Sequence, residues 1–130
     1  ISILPGFSAA RMAWLEAGGA YALANIRGGG EYGKAWHDGG RLANKQNVFD
    51  DFIAAGEFLI AQGVTPQGGL AVMGGSNGGL LVGAVMLQRP ELFAGVRFQV
   101  PLLDMRRYHR LLAGASWIIT GIVIASDSRA

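Results

Sequence analysis

The stretch Gly74-Gly75-Ser76-Asn77-Gly78-Gly79 sets one serine among glycines at the spacing G-x-S-x-G, with Gly74, Ser76 and Gly78 in the required places. It follows the apolar run Leu70-Ala71-Val72-Met73 and precedes Leu80 to Leu87, which reads as strand, sharp turn and helix. A hydroxyl held at such a bend is a nucleophile for acyl carbons. The turn is strained, and glycines at 74 and 78 let the strand and helix come close together. The start of the following helix offers unpaired N–H groups and a positive dipole end to the oxygen that becomes negative when a carbonyl is attacked. The backbone N–H of Asn77 is the first such donor.

The other chemistry-bearing residues are sparse. Two histidines, His37 and His109, and no cysteine leave no recognisable metal site and no thiol chemistry, and no cofactor is expected. In hydrolases with a serine elbow the acid and then the base follow the serine, each on a loop after a later strand. After Ser76 come Asp104, His109 and Asp127. Asp104 and His109 stand too close in sequence to come from two strand ends, and no histidine follows Asp127, so the triad is not completed here. Gly28, Gly30 and Gly33 also fit G-x-G-x-x-G after an apolar run. The acids Asp50 and Asp51 that a dinucleotide site would use begin a helix instead of ending a strand, and Gly39-Gly40 interrupts the helix that should follow. Read as a phosphate loop, the same segment has Ala35 where a hydroxyl must reach Mg²⁺. A packing loop is the better reading.

The elements that position Ser76 can be taken in order. Ser8 caps a helix through Glu16, with Met12, Ala13 and Leu15 inward and Gly18-Gly19 at its end. Ala20 to Ile26 is a nearly continuous apolar run, the pattern of a strand covered on both faces. Arg27 to Gln46 is a glycine-rich excursion holding Tyr32, Trp36 and His37, and an excursion of that length serves function or packs in order. From Asn47 to Gln62, Phe49, Phe52, Ile53, Gly56, Leu59 and Ile60 recur on one helical face, with Asn47 as cap, Asp50 and Asp51 in the first turn and Gly63 as stop. Thr65 to Gly69 turns the chain into the Leu70 strand. Arg89-Pro90 ends the helix behind the serine, and Ala94 to Val100 alternates as a further strand. Strand, helix, strand, helix, strand predicts an α/β fold, a parallel sheet with helices on both faces and the serine at a strand's C-terminal end.

At 130 residues, 51% of them hydrophobic, the chain makes at most one domain with an ample core. A net charge of +2 is too small to argue for nucleic acid or an anionic membrane as partner. Leu111 to Ala125 carries no charge but is shorter than the roughly 20 residues of a membrane-spanning helix. The opening Ile1-Ser2-Ile3-Leu4-Pro5 has neither a leader's basic region nor its cleavage site and reads as an internal start, so the compartment stays open.

With the elbow placed, two longer stretches acquire a context: Asn25-Ile26-Arg27-Gly28-Gly29-Gly30-Glu31-Tyr32-Gly33-Lys34-Ala35-Trp36-His37, and Asn44-Lys45-Gln46-Asn47-Val48-Phe49-Asp50-Asp51-Phe52. Together with Gly74 to Leu81, Gln88 to Phe93, Leu103-Asp104-Met105 and Tyr108-His109, they resemble the catalytic domain of the prolyl oligopeptidase family of serine peptidases. The resemblance runs over residues 1 to 117. It implies a partial α/β-hydrolase domain over residues 1–130, joined in the complete protein to a β-propeller, and cleavage of short proline-containing peptides after proline. It assigns Ser76 as nucleophile, the Asn77 N–H as oxyanion donor and Trp117 as the aromatic ring against which the substrate proline stacks. The family's second oxyanion donor, a tyrosine hydroxyl, and its catalytic Asp, catalytic His and substrate-site arginine fall outside this sequence, which implies little activity for these residues alone. Two departures stand out. Ile118 to Ile124 is apolar where relatives are polar, as a local frame or assembly error would produce, and Pro101 stands where relatives tend to carry glycine. An esterase or acyl-peptide hydrolase of the same fold, and a nucleotide-binding domain using Gly28 to Gly33, are the rival readings.

Overall fold

A computed structural model describes residues 2–104, 106, 107 and 110. Its helices are α1 (Ala9–Glu16), α2 (Lys34–Asp38), α3 (Gln46–Ala61) and α4 (Asn77–Gln88), and its strands are β1 (Leu70–Gly75) and β2 (Phe93–Gln99). Single 3-10 turns at Leu42–Asn44 and Pro90–Leu92 lead into α3 and β2.

β1 and β2 pair in parallel, from Leu70 opposite Phe93 to Gly75 opposite Gln99, with one irregularity between Leu70 and Ala71. Parallel neighbours require a crossover, and α4 supplies it. Alternation along β1 turns Leu70, Val72 and Gly74 toward the helices and leaves Ala71 and Met73 exposed. The buried centre is made where α4 meets this face. Val82 and Val85 are wholly enclosed, Gly79 and Gly83 are buried beside them, and Leu92 closes the end. Gly56 on α3 comes so near the sheet that a Cβ there would lie 3.0 Å from Leu70 Cδ1. A residue without a side chain is what brings α3 down onto β1.

Several expectations are modified by where backbone groups find partners. Ser8 caps α1 as its type suggests, its Oγ accepting from Arg11 N at 3.4 Å, and Gly18 at φ 87° follows the helix end. Yet α1 buries none of its residues, and Met12 and Leu15 are exposed instead of inward. The helix is tied instead to the segment after it: the Trp14 indole donates to Ala20 O and the Arg11 guanidinium sits over the Tyr21 ring. Ala20 to Ile26 joins no ladder among the described residues. Only its end carbonyls and one side chain find partners among the described residues: the Ala20 carbonyl accepts from the Trp14 indole, the Ile26 carbonyl from Gly29 N–H and the Trp36 indole, and the Asn25 amide donates to Ile3 O, while the main chain between them keeps the open N–H and C=O groups of an unpaired extended segment. Nor is the run covered on both faces: Ala20, Tyr21 and Ala22 are exposed and Leu23 to Ile26 only half-buried, because no neighbouring strand pairs with it among the described residues.

The start of α3 shows the same logic. Asn47 is not its cap, because the preceding 3-10 turn runs straight into the helix and the Lys45 carbonyl already accepts from Val48 N. Asn47 sits in the first turn and gives its amide to the Gly39 carbonyl at 2.8 Å. Gly63, at φ 70°, follows the helix as expected. On β2, Phe93 and Val96 are half-buried, but Val100 has left the strand at φ 40° and is exposed, so its expected inward alternation stops at the strand end.

The glycine-rich excursion is ordered by its own contacts. Gly28 N–H donates to Trp36 O, His37 Nδ1 lies 2.6 Å from Gly28 O, and the Tyr32 and Trp36 rings meet edge to face. A Cβ at Gly40 would collide with the Arg27–Gly28 backbone. Asp51, expected to serve the first turn of α3, instead reaches across to this excursion, accepting from Arg27 N at 3.0 Å and from its guanidinium at 2.5 to 3.1 Å. The Arg27 hydrogen bond holds the Asp51 carboxyl below the ordinary aspartate value of 3.8. A depressed folded-state pKa adds stability above the unfolded value and loses it as pH falls through the folded one. Asp51→Asn is therefore expected to flatten the acid side of the stability curve. Urea midpoints of parent and variant between about pH 2 and pH 6 measure this, and parallel curves would refute it.

Candidate active site

The path from β1 into α4 passes through one unusual residue. Ser76 has φ 55° and ψ −116°, a backbone region that serine avoids. Its surroundings hold it there. Ser76 N–H extends the ladder by donating to Gln99 O at 2.9 Å, and the Ser76 carbonyl accepts from Gly79 N at 3.0 Å and Leu80 N at 3.3 Å. The residue is thus the last rung of the sheet and the first acceptor of the helix at once.

Ser76 is the N-cap of α4, but its side chain makes no capping bond. Ser8, at φ −149°, is the N-cap of α1 and does cap through Oγ. The positive φ turns the Ser76 side chain out of that role and leaves a half-buried hydroxyl for other work. Behind it, the N–H groups of Asn77 and Gly78 take no backbone acceptor among the described residues. This is the orphan donor pair of a helix start, and it faces the turn.

The two elbow glycines differ. A Cβ at Gly74 would overlap the carbonyl of Gly78, so bare backbone at 74 is what lets β1 and α4 touch. At Gly78 an added Cβ meets nothing within 4 Å, and this residue contributes its carbonyl, not its missing side chain. Gly79, which the G-x-S-x-G pattern does not include, is tighter than Gly78: its Cβ would lie 2.6 Å from Pro101 Cβ. Pro101 therefore packs directly on the first turn of α4.

Lys45, just before α3, donates from Nζ to Asn77 Oδ1 at 3.3 Å and lies over the Phe49 ring at 6.0 Å. Burial pushes its ammonium below the ordinary lysine value. The sequence places this lysine in a stretch that resembles the family but does not pair it with Asn77, which lies a whole helix and strand away. The remaining candidates are committed elsewhere or lie outside the described residues. His37 is held on the Gly28 carbonyl, and Asp104 accepts from Arg107 N and Nε, which lowers its pKa. His109, Trp117, Asp127 and the 118–124 run lie outside the described residues. Among the described residues no cluster of His, Asp or Glu could hold a metal, and no helix is long and apolar enough to cross a membrane.

The Gly28–Gly33 loop does not make a phosphate cradle. Such a site needs free N–H groups converging on the ligand, whereas those of Gly28, Gly29 and Gly33 go to Trp36, Ile26 and Gly30 carbonyls. Gly33 leads only into the five-residue α2.

Parallel strands joined through a serine turn and a buried helix define a partial α/β-hydrolase domain. The model of the prolyl oligopeptidase family matches residues 5–121, and the chain belongs to that family. It is 57% identical over 118 residues to a prolyl endopeptidase of Elizabethkingia meningoseptica and 58% identical over 118 residues to an uncharacterized peptidase of Sinorhizobium fredii. Each match covers 90% of this chain, which spans only 17% and 16% of those relatives. A solved prolyl endopeptidase structure superposes with a TM-score of 0.87 at 62% identity, over 90% of this chain and 17% of that one. A post-proline cleaving enzyme from Rickettsia typhi superposes with a TM-score of 0.74 at 48% identity, over 79% of this chain and 15% of that one.

The unequal glycines give a direct test. Gly74→Ala is expected to destabilise by about 1–3 kcal/mol through overpacking. Gly78→Ala, in a helical position with open space, is expected to be neutral or to stabilise by up to about 1 kcal/mol. Thermal melts of the two variants in the intact protein compare them, and equal losses would refute the assignment.

Proposed function

We propose that this chain is part of the catalytic domain of a longer serine endopeptidase that cleaves short peptides after proline, with a β-propeller as its second domain. The observation that carries the reading is Ser76 itself, at positive φ between β1 and α4 and released from capping. In this mechanism Ser76 Oγ attacks the carbonyl carbon of the proline residue while a histidine from another part of the protein takes its proton. The Asn77 N–H donates to the oxygen that becomes negative, an interaction stronger in the tetrahedral state than in the bound peptide. Collapse breaks the C–N bond, the histidine returns its proton to the leaving amine, and water then releases the acyl group from Ser76. Trp117 stacks on the proline ring and so selects the residue before the cut. The relatives described as prolyl endopeptidases and as a post-proline cleaving enzyme support proline as that residue.

The test uses the full-length gene product and a panel of chromogenic substrates. A Gly-Pro amide is expected to be hydrolysed, and Ser76→Ala to lower kcat by at least about a thousandfold. Turnover that survives Ser76→Ala would overturn the assignment of the nucleophile. Preference for acyl esters or blocked N-terminal residues over proline amides would favour an esterase or acyl-peptide hydrolase.

A further inference from the structure

The cation beside the elbow is held by one hydrogen bond and the face of one ring, without a carboxylate. Among the described residues the ion pairs engage Arg27, Lys34, Arg41, Arg89 and Arg107, and Lys45 is in none of them. It is half-buried, and its Nζ is committed to the side chain of the first residue of α4. A positive charge there opposes the positive end of the helix dipole. The same placement becomes favourable when negative charge develops nearby.

Its geometry has a specific consequence. An ammonium can only donate, so the Asn77 amide must turn its oxygen toward Lys45, and the Nδ2 group is left facing away. Among the described residues no acceptor takes that Nδ2. The same bond ties the start of α3 to the residue whose backbone N–H stands next to Ser76. Ser76 is held at its strained φ and ψ on the sheet side by Gln99 and on the helix side by Gly79 and Leu80. Lys45 adds a hold on the peptide that follows it.

We propose that Lys45 is a positioning residue for the acyl-transfer step: through Asn77 Oδ1 it fixes the Asn77 peptide so that its N–H meets the developing oxyanion. This rests on the assignment of Ser76 as nucleophile. An interaction that tightens only in the transition state lowers kcat when removed and leaves KM nearly unchanged. Lys45 acts through Asn77, so its effect must vanish when the Asn77 side chain is gone.

The test is a double-mutant cycle in the full-length protein on a Gly-Pro amide, with rates expressed per serine labelled by a fluorophosphonate so that misfolded molecules are not counted. Lys45→Met is expected to lower kcat about tenfold with KM within about twofold of the parent. Lys45→Arg, which keeps a donor and its charge, is expected to recover most of that loss. Asn77→Ala is expected to lower kcat by a similar factor, and Lys45→Met added to it to cost less than about twofold more. A Lys45→Met enzyme with parental kcat, a change confined to KM, absence of rescue by arginine, or multiplicative losses in the double variant would each overturn the proposal. Failure of the underlying reading is distinguishable, because then Ser76→Ala would leave the parent's turnover intact or the parent would not hydrolyse the amide.

Discussion

The contact between the Cα of Gly74 and the carbonyl of Gly78 constrains everything around it. It sets the distance between the last residues of β1 and the first turn of α4, and only a residue without a Cβ allows it. The chain reverses within Ser76 at that distance, and it does so with positive φ. Strain of this kind costs of order 1–3 kcal/mol and persists where neighbouring interactions over-determine the backbone. Here the parallel ladder to β2 supplies one side of that hold, through Gln99. The enclosed Val82 and Val85 supply the other by anchoring α4 against the sheet.

The two serine caps make the functional point by contrast. Ser8 and Ser76 share a residue type and a place at a helix start, yet one hydroxyl is spent on the helix and the other is not. What separates them is a backbone angle, φ −149° at Ser8 and 55° at Ser76, the latter beside the close approach at Gly74. The helix behind Ser76 keeps the N–H of Gly78, one that a capping serine could take, beside that of Asn77, which is free at the first helical position in either case. One local distortion therefore frees a nucleophile and preserves a donor for the charge it creates.

The long excursion after Ile26 supports this arrangement from a distance. Its glycines let backbone meet backbone, as at Gly28 and Gly40, and its indole and imidazole groups close on main-chain carbonyls. Asp51 on α3 then grips Arg27 at the root of the excursion, and Lys45 leaves its far end toward Asn77. The loop that superficially matches nucleotide-binding spacings is thus a strut between α3 and the elbow, with the N–H groups of Gly28, Gly29 and Gly33 consumed internally. Gln46 and Gln88 exchange amide hydrogen bonds between α3 and α4, which fixes the two helices along the same line.

The elbow, the stop of α3 at Gly63, the Ser8 cap and the parallel strands on either side of α4 were legible in the sequence, because each depends on neighbouring residues and on backbone preferences that those residues carry themselves. Family membership was legible for the same reason, since the motifs are contiguous. Tertiary structure alone decided that Asp51 serves Arg27, that Asn47 serves Gly39 and that Lys45 reaches Asn77. In those cases a short local role competes with a partner brought near by the path of the chain, and the distant partner satisfies the polar group better. Gly74 and Gly78 look equivalent in the motif, and only the packing of α4 on β1 shows that one yields its side chain and the other lends its carbonyl.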